Sequence, residues 1–310
     1  MIRLKCLRPI YALDVGAKNP ETGARHIRIL PKRADLYSFK ALEERYGAGS
    51  ILSLPCGQCI NCRINYSRTW ALRCVCEASL YDENWFLTLT YDDDHYPGCA
   101  KKDDLQKFIK RLRKKHPGVR YFACCERGEH TKRYHFHLIL FNLHLEGIRC
   151  LGKGPKGGYY YECQELVDLW NNGFIVLGDV NYTTCNYVAQ YCLKKTYQNE
   201  KTDEFVTMSL KPGIGTRYFE ENLKTIVRDD KIYINSGGSY VNAPPRYFDK
   251  LLARVYPQIA EDIKDERVSK ANIGKLTDLI RFGLQNVEES YEIYAQDAIN
   301  KMKEKLHKRK

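Results

Sequence analysis

In Tyr134-His135-Phe136-His137-Leu-Ile-Leu-Phe141 two histidines stand two positions apart inside a run of β-forming residues. Side chains alternate along a strand, so both imidazoles face one side of a sheet and Phe136 faces the other. Two rings on one face can share a divalent metal; histidines satisfied structurally on a solvent-facing strand would give the same pattern. Glu126 closes an earlier strand-like run, Val119-Arg-Tyr-Phe-Ala-Cys-Cys125, and a hairpin between the two runs would bring its carboxylate beside the rings. Glu129, in the turn itself, is the alternative third ligand. Two imidazoles and a carboxylate, with positions left for water and phosphate oxygens, suit Mg2+ or Mn2+ in phosphodiester chemistry, and would also suit Zn2+.

Two further constellations carry reactive groups. In Asn186-Tyr187-Val-Ala-Gln190-Tyr191-Cys-Leu-Lys194-Lys195 the tyrosines are four apart and Lys194 is three beyond the second, so a helix would line all three along one face. A phenol becomes a nucleophile when its oxyanion is stabilised by a neighbouring ammonium or metal ion. In a chain with 23 tyrosines, an aromatic stripe packed on a sheet is the competing reading. Cys56, Cys59 and Cys62 supply three closely spaced thiols, and Cys6 is a candidate fourth ligand for a tetrahedral structural Zn2+, with Cys74 and Cys76 as competitors. Free thiols in a reducing compartment, or an iron-sulfur cluster, would also account for the triplet.

These groups need elements to hold them. Tyr66, Trp70, Arg73 and Glu77 follow a helical spacing, and the segment from Trp85 to Tyr91 is dense in β-formers. Asp103 is placed to cap a helix carrying Leu105, Phe108, Ile109 and Leu112, which Pro117 and Gly118 stop. Its other faces bear Lys107, Lys110, Arg111 and Lys114, which could track phosphates beside the reactive face or be simply solvated. After the hairpin come a Gly-rich loop at residues 152–158, a short helix over 165–171 ended by Gly173, a strand over 174–180 and a helix over 184–195 capped by Thr183 or Thr184. The order β-α-β-β-α-β-α is an α+β layout, a mainly antiparallel sheet with helices on one face. The first 50 residues predict little regular structure. Residues 211–245 predict loops and a hairpin around Lys231-Ile-Tyr-Ile-Asn235, and the chain from Tyr247 onward a charged, mainly helical region.

The chain has 310 residues, 44% hydrophobic and 28% charged, which excludes fibrous proteins and small disulfide scaffolds. No run approaches the ~18 apolar residues of a membrane span. Lys and Arg number 50 against 38 Asp and Glu, and the net +12 points to a polyanion such as nucleic acid. Arg3, Lys5 and Arg8 interrupt any signal-peptide core, so the expected location is a reducing cytoplasm, where 13 cysteines speak for metal ligation or burial over disulfides.

Taken together, Phe86-Leu-Thr-Leu-Thr-Tyr91, His135-Phe-His137 and Tyr187-Val-Ala-Gln-Tyr191-Cys-Leu-Lys194 resemble the three ordered motifs of the HUH endonucleases that initiate rolling-circle replication. Pro55-Cys-Gly-Gln-Cys-Ile-Asn-Cys-Arg63, Ser67-Arg-Thr-Trp70, Lys211-Pro-Gly-Ile-Gly215 and Pro245-Arg-Tyr247 narrow the resemblance to the gokushovirus branch of the microviruses. The resemblance implies an RRM/ferredoxin-like β-α-β-β-α-β nuclease core at residues 81–200, after a Cys-rich arm at 1–80 and before an accessory region at 201–310. It implies a divalent metal at His135, His137 and Glu126, with Tyr191 and Tyr187 as nucleophiles and Lys194 assisting. The products would be a 5′-phosphotyrosine and a free 3′-hydroxyl that primes the host polymerase on DNA unwound by a host helicase, in the cytoplasm of the bacterial host. Gln190 departs from the lysine that related initiators often carry between the tyrosines. The rivals are a plasmid initiator, relaxase or transposase with the same site, and a non-catalytic basic Cys-rich DNA-binding protein.

Overall fold

The computed structural model describes residues 5–18, 25–31, 36–47, 49–128, 132–154, 158–191, 204–235 and 239–282. They build two compact units, one on Ile2–Asn65 and one on Tyr66–Asp278, and the division does not fall near residues 80 and 200.

The first unit contains β1 (Ile10–Lys18), β2 (Arg25–Ile29), α1 (Leu36–Tyr46), β3 (Ile51–Leu54) and the start of α2 (Ile60–Ala78). Its strands form an antiparallel sheet in the order β2-β1-β3, which corrects the expectation of an irregular first 50 residues. The strands are hard to read for a physical reason. The β1–β2 register shifts after Asp14, beside Gly16 at φ +77°, and all five residues of β2 are exposed, so neither strand carries a sustained apolar-polar alternation.

The second unit continues with β4 (Asn84–Tyr91), α3 (Lys102–Lys115), β5 (Arg120–Arg127), β6 (Tyr134–Phe141), β7 (Arg149–Lys153), β8 (Tyr159–Glu162), α4 (Gln164–Trp170), β9 (Gly173–Asp179) and α5 (Tyr182–Tyr191). After these come β10 (Val206–Met208), α6 (Thr216–Glu221), α7 (Leu223–Asp229), β11 (Ile232–Asn235), β12 (Ser239–Asn242), α8 (Arg246–Val255) and α9 (Pro257–Phe282). Seven strands make one antiparallel sheet in the order β10-β5-β6-β4-β9-β8-β7. Within it β4, α3, β5, β6, α4 and β9 run β-α-β-β-α-β. The Gly-rich stretch at residues 152–158, expected as a loop, instead lies across the β7–β8 hairpin that extends the sheet.

Helices cover both faces of this sheet, not one. Leu87, Leu89, Tyr91, Phe136, Leu138 and Leu140 pack with α3 and α4. Phe122, Cys124, Ile139 and Phe141 pack on the opposite face with α2, α5, α6, α7 and α8. Strands β5 and β6 are buried almost throughout, and a near-continuous apolar strand needs cover on each side. On the α3 side, Trp170 is fully buried against Tyr91, Phe108 and Phe136, and its indole N–H donates to the Thr90 carbonyl at 3.2 Å. Gly173 admits no side chain, since a Cβ there would fall 2.3 Å from the Asp92 nitrogen.

Polar links fasten the other side. Glu77 is fully buried and pairs with the buried Arg120, while the Gly215 N–H donates to the same carboxylate at 2.6 Å. Arg73 lies between the rings of Trp70 and Tyr247, at 4.0 and 3.8 Å, and donates to the Ile214 carbonyl at 3.0 Å. Capping also differs from expectation. Asp103 lies in the first turn of α3, where its charge favours the helix N-terminus without capping it. For α5 the cap is Asn181, whose side chain accepts from Thr184 N–H at 3.0 Å while Thr184 Oγ1 accepts from Asn181 N–H at 2.9 Å.

Candidate active site

Register brings three metal-binding side chains together. On the β5–β6 ladder Glu126 lies opposite His135 and Cys124 opposite His137, and on the β4–β6 ladder Thr88 lies opposite His137. Glu126, His135 and His137 therefore share one sheet face, with one ligand atom of each within 4.8 Å of the others. Glu126 Oε2 is 3.1 Å from His137 Nε2 and 3.3 Å from His135 Nε2, and the two rings meet edge to face at 4.8 Å. Glu126 and His137 are buried, and His135 is half-buried. The other nitrogen of His137, Nδ1, lies 3.1 Å from Thr88 Oγ1, and Phe86 stacks on the ring at 5.7 Å. A hydroxyl at Nδ1 fixes the ring and leaves Nε2 to face the carboxylate, which is how metal-binding histidines are commonly oriented. Two nitrogens and a carboxylate oxygen on one rigid face fit a divalent cation. Glu129 lies outside the described residues.

Helix α5 packs over β5 and β6 on this same face. The ring of Tyr187 stands 5.2 Å from the His137 ring and 6.2 Å from Phe86, in edge contact with both. A hydrogen bond of 2.7 Å from Ser67 Oγ to Asn186 Oδ1 ties α5 to α2 beside that tyrosine. The Tyr191 backbone ends α5 one turn further on. Its side chain and the whole of Lys194 lie outside what the structure describes.

The family model for replication-associated proteins of the ORF2 type matches residues 84–196, the stretch from β4 through the tyrosine helix. A replication-associated protein ORF2 of Spiroplasma virus 4 is 34% identical over 219 residues, 65% of this chain and 68% of the relative. A replication-associated protein VP4 of Bdellovibrio phage phiMH2K is 30% identical over 241 residues, covering 72% and 74%. The chain belongs to the phage replication-associated proteins. A third such protein, ORF4 of Chlamydia phage 1, is 29% identical over 224 residues, 67% of this chain and 55% of its own length. No solved structure matches.

In this replication-associated protein the basic helix is not where the sequence suggested. The apolar stripe of α3 packs on the sheet face opposite the histidines, so Lys107, Lys110, Arg111 and Lys114 do not flank them. Arg111 is engaged structurally, donating to the carbonyls of Leu169 and Trp170 at 2.7 and 3.1 Å. The sequence reading assigned no role to Thr88, Phe86 or Ser67. The signal for Thr88 was its alternation with Leu87 and Leu89, which turns Phe86, Thr88 and Thr90 to the histidine face. Among the described residues no helix is long and apolar enough to cross a membrane.

The cysteines separate cleanly. Cys74 and Cys76 are fully buried in the apolar core of the Tyr66–Asp278 unit. In the other unit, the sulfurs of Cys6, Cys56, Cys59 and Cys62 all lie within 4.8 Å of one another. Burial pushes the Cys59 thiol up, but the N–H groups of Cys62 and Leu7 and the adjoining thiols outweigh it and bring it down to about 6. Burial, with the Cys59 and Cys6 sulfurs, pushes Cys62 up to about 12 against the Gly57 N–H.

Proposed function

We propose that the chain is a metal-dependent DNA nicking and joining enzyme of the HUH type that starts rolling-circle replication at a phage origin. The observation that carries this reading is the meeting of Glu126, His135 and His137 on one sheet face with the Tyr187 ring against His137. Those three side chains would hold a Mg2+ or Mn2+, which when bound polarises the scissile phosphodiester and offsets the charge that builds up during displacement. The phenol oxygen of Tyr191 or Tyr187 attacks phosphorus. A tyrosine O–P bond forms as the P–O3′ bond breaks, the phenolic proton is lost, and the departing 3′ oxygen takes up a proton to become a hydroxyl. Lys194, at the family's spacing from Tyr191, assists that tyrosine. The 3′-hydroxyl primes the host polymerase, with a host helicase opening the duplex in the bacterial cytoplasm. When the origin is regenerated, the second tyrosine cuts the new junction, and the freed 3′-hydroxyl attacks the first phosphotyrosine to close a circle. The net charge of +12 suits a polyanionic partner.

The test is incubation of the protein with a library of labelled single-stranded oligonucleotides and Mn2+ or Mg2+, followed by denaturing electrophoresis and sequencing of protein-linked ends. A covalent adduct at a defined sequence is expected, lost in EDTA and in His137→Ala. Binding without any adduct would support the rival reading, a basic DNA-binding protein whose histidines and tyrosines are structural.

A further inference from the structure

The nicking chemistry makes no use of the four cysteines of the Ile2–Asn65 unit, and three features of that unit bear on their role. The first is spacing. Cys6 Sγ and Cys59 Sγ are 3.7 Å apart, and all four sulfurs fall within 4.8 Å of one another. A tetrahedral ion with metal–sulfur bonds of about 2.3 Å keeps its thiolates roughly 3.8 Å apart. An iron-sulfur cluster distributes its thiolates over separate irons, so its sulfurs would stand well beyond this range. A single tetrahedral ion fits the observed set.

The second feature is the shell around the sulfurs. The Cys59 N–H donates to Cys56 Sγ at 3.3 Å, the Cys56 N–H to Cys6 Sγ at 3.3 Å, and the Leu7 N–H to Cys59 Sγ at 3.4 Å. Gly57, at φ +72°, makes the tight turn that points both Cys56 and Cys59 inward. Cys62 sits in the first turn of α2, where unpaired N–H groups favour a thiolate. The Asn61 amide, itself buried, donates to the Lys5 carbonyl at 2.7 Å and fastens the Cys6 segment to the same turn. Such N–H donors aimed at sulfur are how a protein neutralises and orients metal-bound thiolates.

The third feature is what the unit lacks. Among its described residues the buried apolar side chains are Ala12, Leu13 and Cys62. A unit of this size with so little core needs a staple, and a structural metal is one of the few available. The sulfurs stand where a staple would act. Strands β1 and β3 pair antiparallel with Ile10 opposite Leu54, Cys6 lies just before that pair and Cys56 just after it.

We propose that Cys6, Cys56, Cys59 and Cys62 bind one structural Zn2+ that closes the β1–β3 ladder and fixes the first turn of α2. Binding releases the thiol protons to solvent, and the folding of the Ile2–Asn65 unit depends on it. This proposal does not depend on the nuclease reading.

The test uses the full-length protein purified under reducing conditions without added metal, with metal content measured by elemental analysis. One zinc per chain is expected, retained by His137→Ala and by Cys150→Ser, which removes an exposed thiol elsewhere, and lost by Cys6→Ser and Cys59→Ser. Should those two variants fail to fold, the wild-type protein stripped by a chelator and titrated with Co2+ keeps the question answerable. One equivalent should give the intense thiolate-to-cobalt charge transfer and tetrahedral ligand-field bands of a four-sulfur site, and Zn2+ should displace it. Melting of the stripped protein should occur at a lower temperature than that of the zinc form. Iron in place of zinc, a Cys6–Cys59 disulfide in the reduced preparation, cobalt spectra without thiolate bands, or stripped protein that melts like the zinc form would each overturn the proposal.

Discussion

Thr88→Val tests whether the hydroxyl opposite His137 tunes the metal site. The substitution exchanges a hydroxyl for a methyl at nearly constant volume and leaves Phe86, Glu126 and both histidines in place. In the native protein His137 has one partner per ring nitrogen, Thr88 Oγ1 at 3.1 Å on Nδ1 and Glu126 Oε2 at 3.1 Å on Nε2. With Nδ1–H donating to Thr88, the Nε2 lone pair faces the metal position; without the hydroxyl, a buried N–H loses its acceptor, a loss of about 1–3 kcal/mol. Removal of such an orienting group from a metal-binding histidine commonly costs about 10–100-fold in affinity, or roughly 1.4–2.7 kcal/mol, in line with the hydrogen-bond figure. The half-saturating Mn2+ concentration for adduct formation should therefore rise by about 10–100-fold in Thr88→Val, while the rate at saturating Mn2+ stays within about threefold. Thr88→Ser, which keeps the hydroxyl, should restore the native metal dependence. An unchanged metal titration in Thr88→Val, or equal impairment in Val and Ser variants, would refute the reasoning.

Glu77→Ala leaves the buried Arg120 guanidinium and the Gly215 N–H without their carboxylate and should destabilise the protein by about 3–5 kcal/mol, measured by urea unfolding; a loss below about 1 kcal/mol would show that water or a rearranged Arg120 compensates. Tyr191→Phe should lower first-strand nicking more than Tyr187→Phe, either single variant should lose circular product, and the double variant should form no adduct, as read by peptide mapping and gel analysis. Full circle formation by both single variants would contradict the two-tyrosine scheme. Replacing Lys107, Lys110 and Lys114 with Ala should flatten the salt dependence of DNA affinity by up to about 0.7 in log-log slope per lost phosphate contact. Because α3 lies on the face away from the histidines, the nicking rate at saturating DNA should not change, and a fall there would place α3 at the cleavage site after all.

The strongest sequence signals came from elements whose faces differ sharply in polarity. The apolar stripe of α3 and the run Tyr134–Phe141 were legible because burial dictates nearly every residue in them. The closeness of Glu126 to His135 followed from hairpin logic alone. The chain was least legible where local pattern and burial part company. Strand β2 is wholly exposed, and most of the β7–β8 hairpin is exposed or half-buried. Glu77 reads as a polar helix position yet is completely buried, because its partners Arg120 and Gly215 are 43 and 138 residues away. The choice between Cys6 and the Cys74–Cys76 pair could not be made from spacing, since it depends on how β1 and β3 pair.

Alternation also explains why the site occupies one end of the sheet. Along β6 the residues facing α3 and α4 are Phe136, Leu138 and Leu140, while those on the other face pass from His135 and His137 to Ile139 and Phe141. One strand thus contributes to two apolar cores and still holds two imidazoles, because the polar positions are confined to the turn end, where Glu126 enters from β5. The three ligands come from two directly paired strands, so their geometry is set by the ladder and does not depend on the helices above. The tyrosines are carried on α5, held over the ligands by the Asn181–Thr184 cap, the Ser67–Asn186 bond and the edge contacts of Tyr187 with Phe86 and His137. A ligand set fixed by the sheet and nucleophiles carried on a separate helix can be perturbed independently. Loss of a tyrosine hydroxyl then removes the reaction without loosening the metal, and loss of the Thr88 hydroxyl weakens the metal without moving the tyrosines.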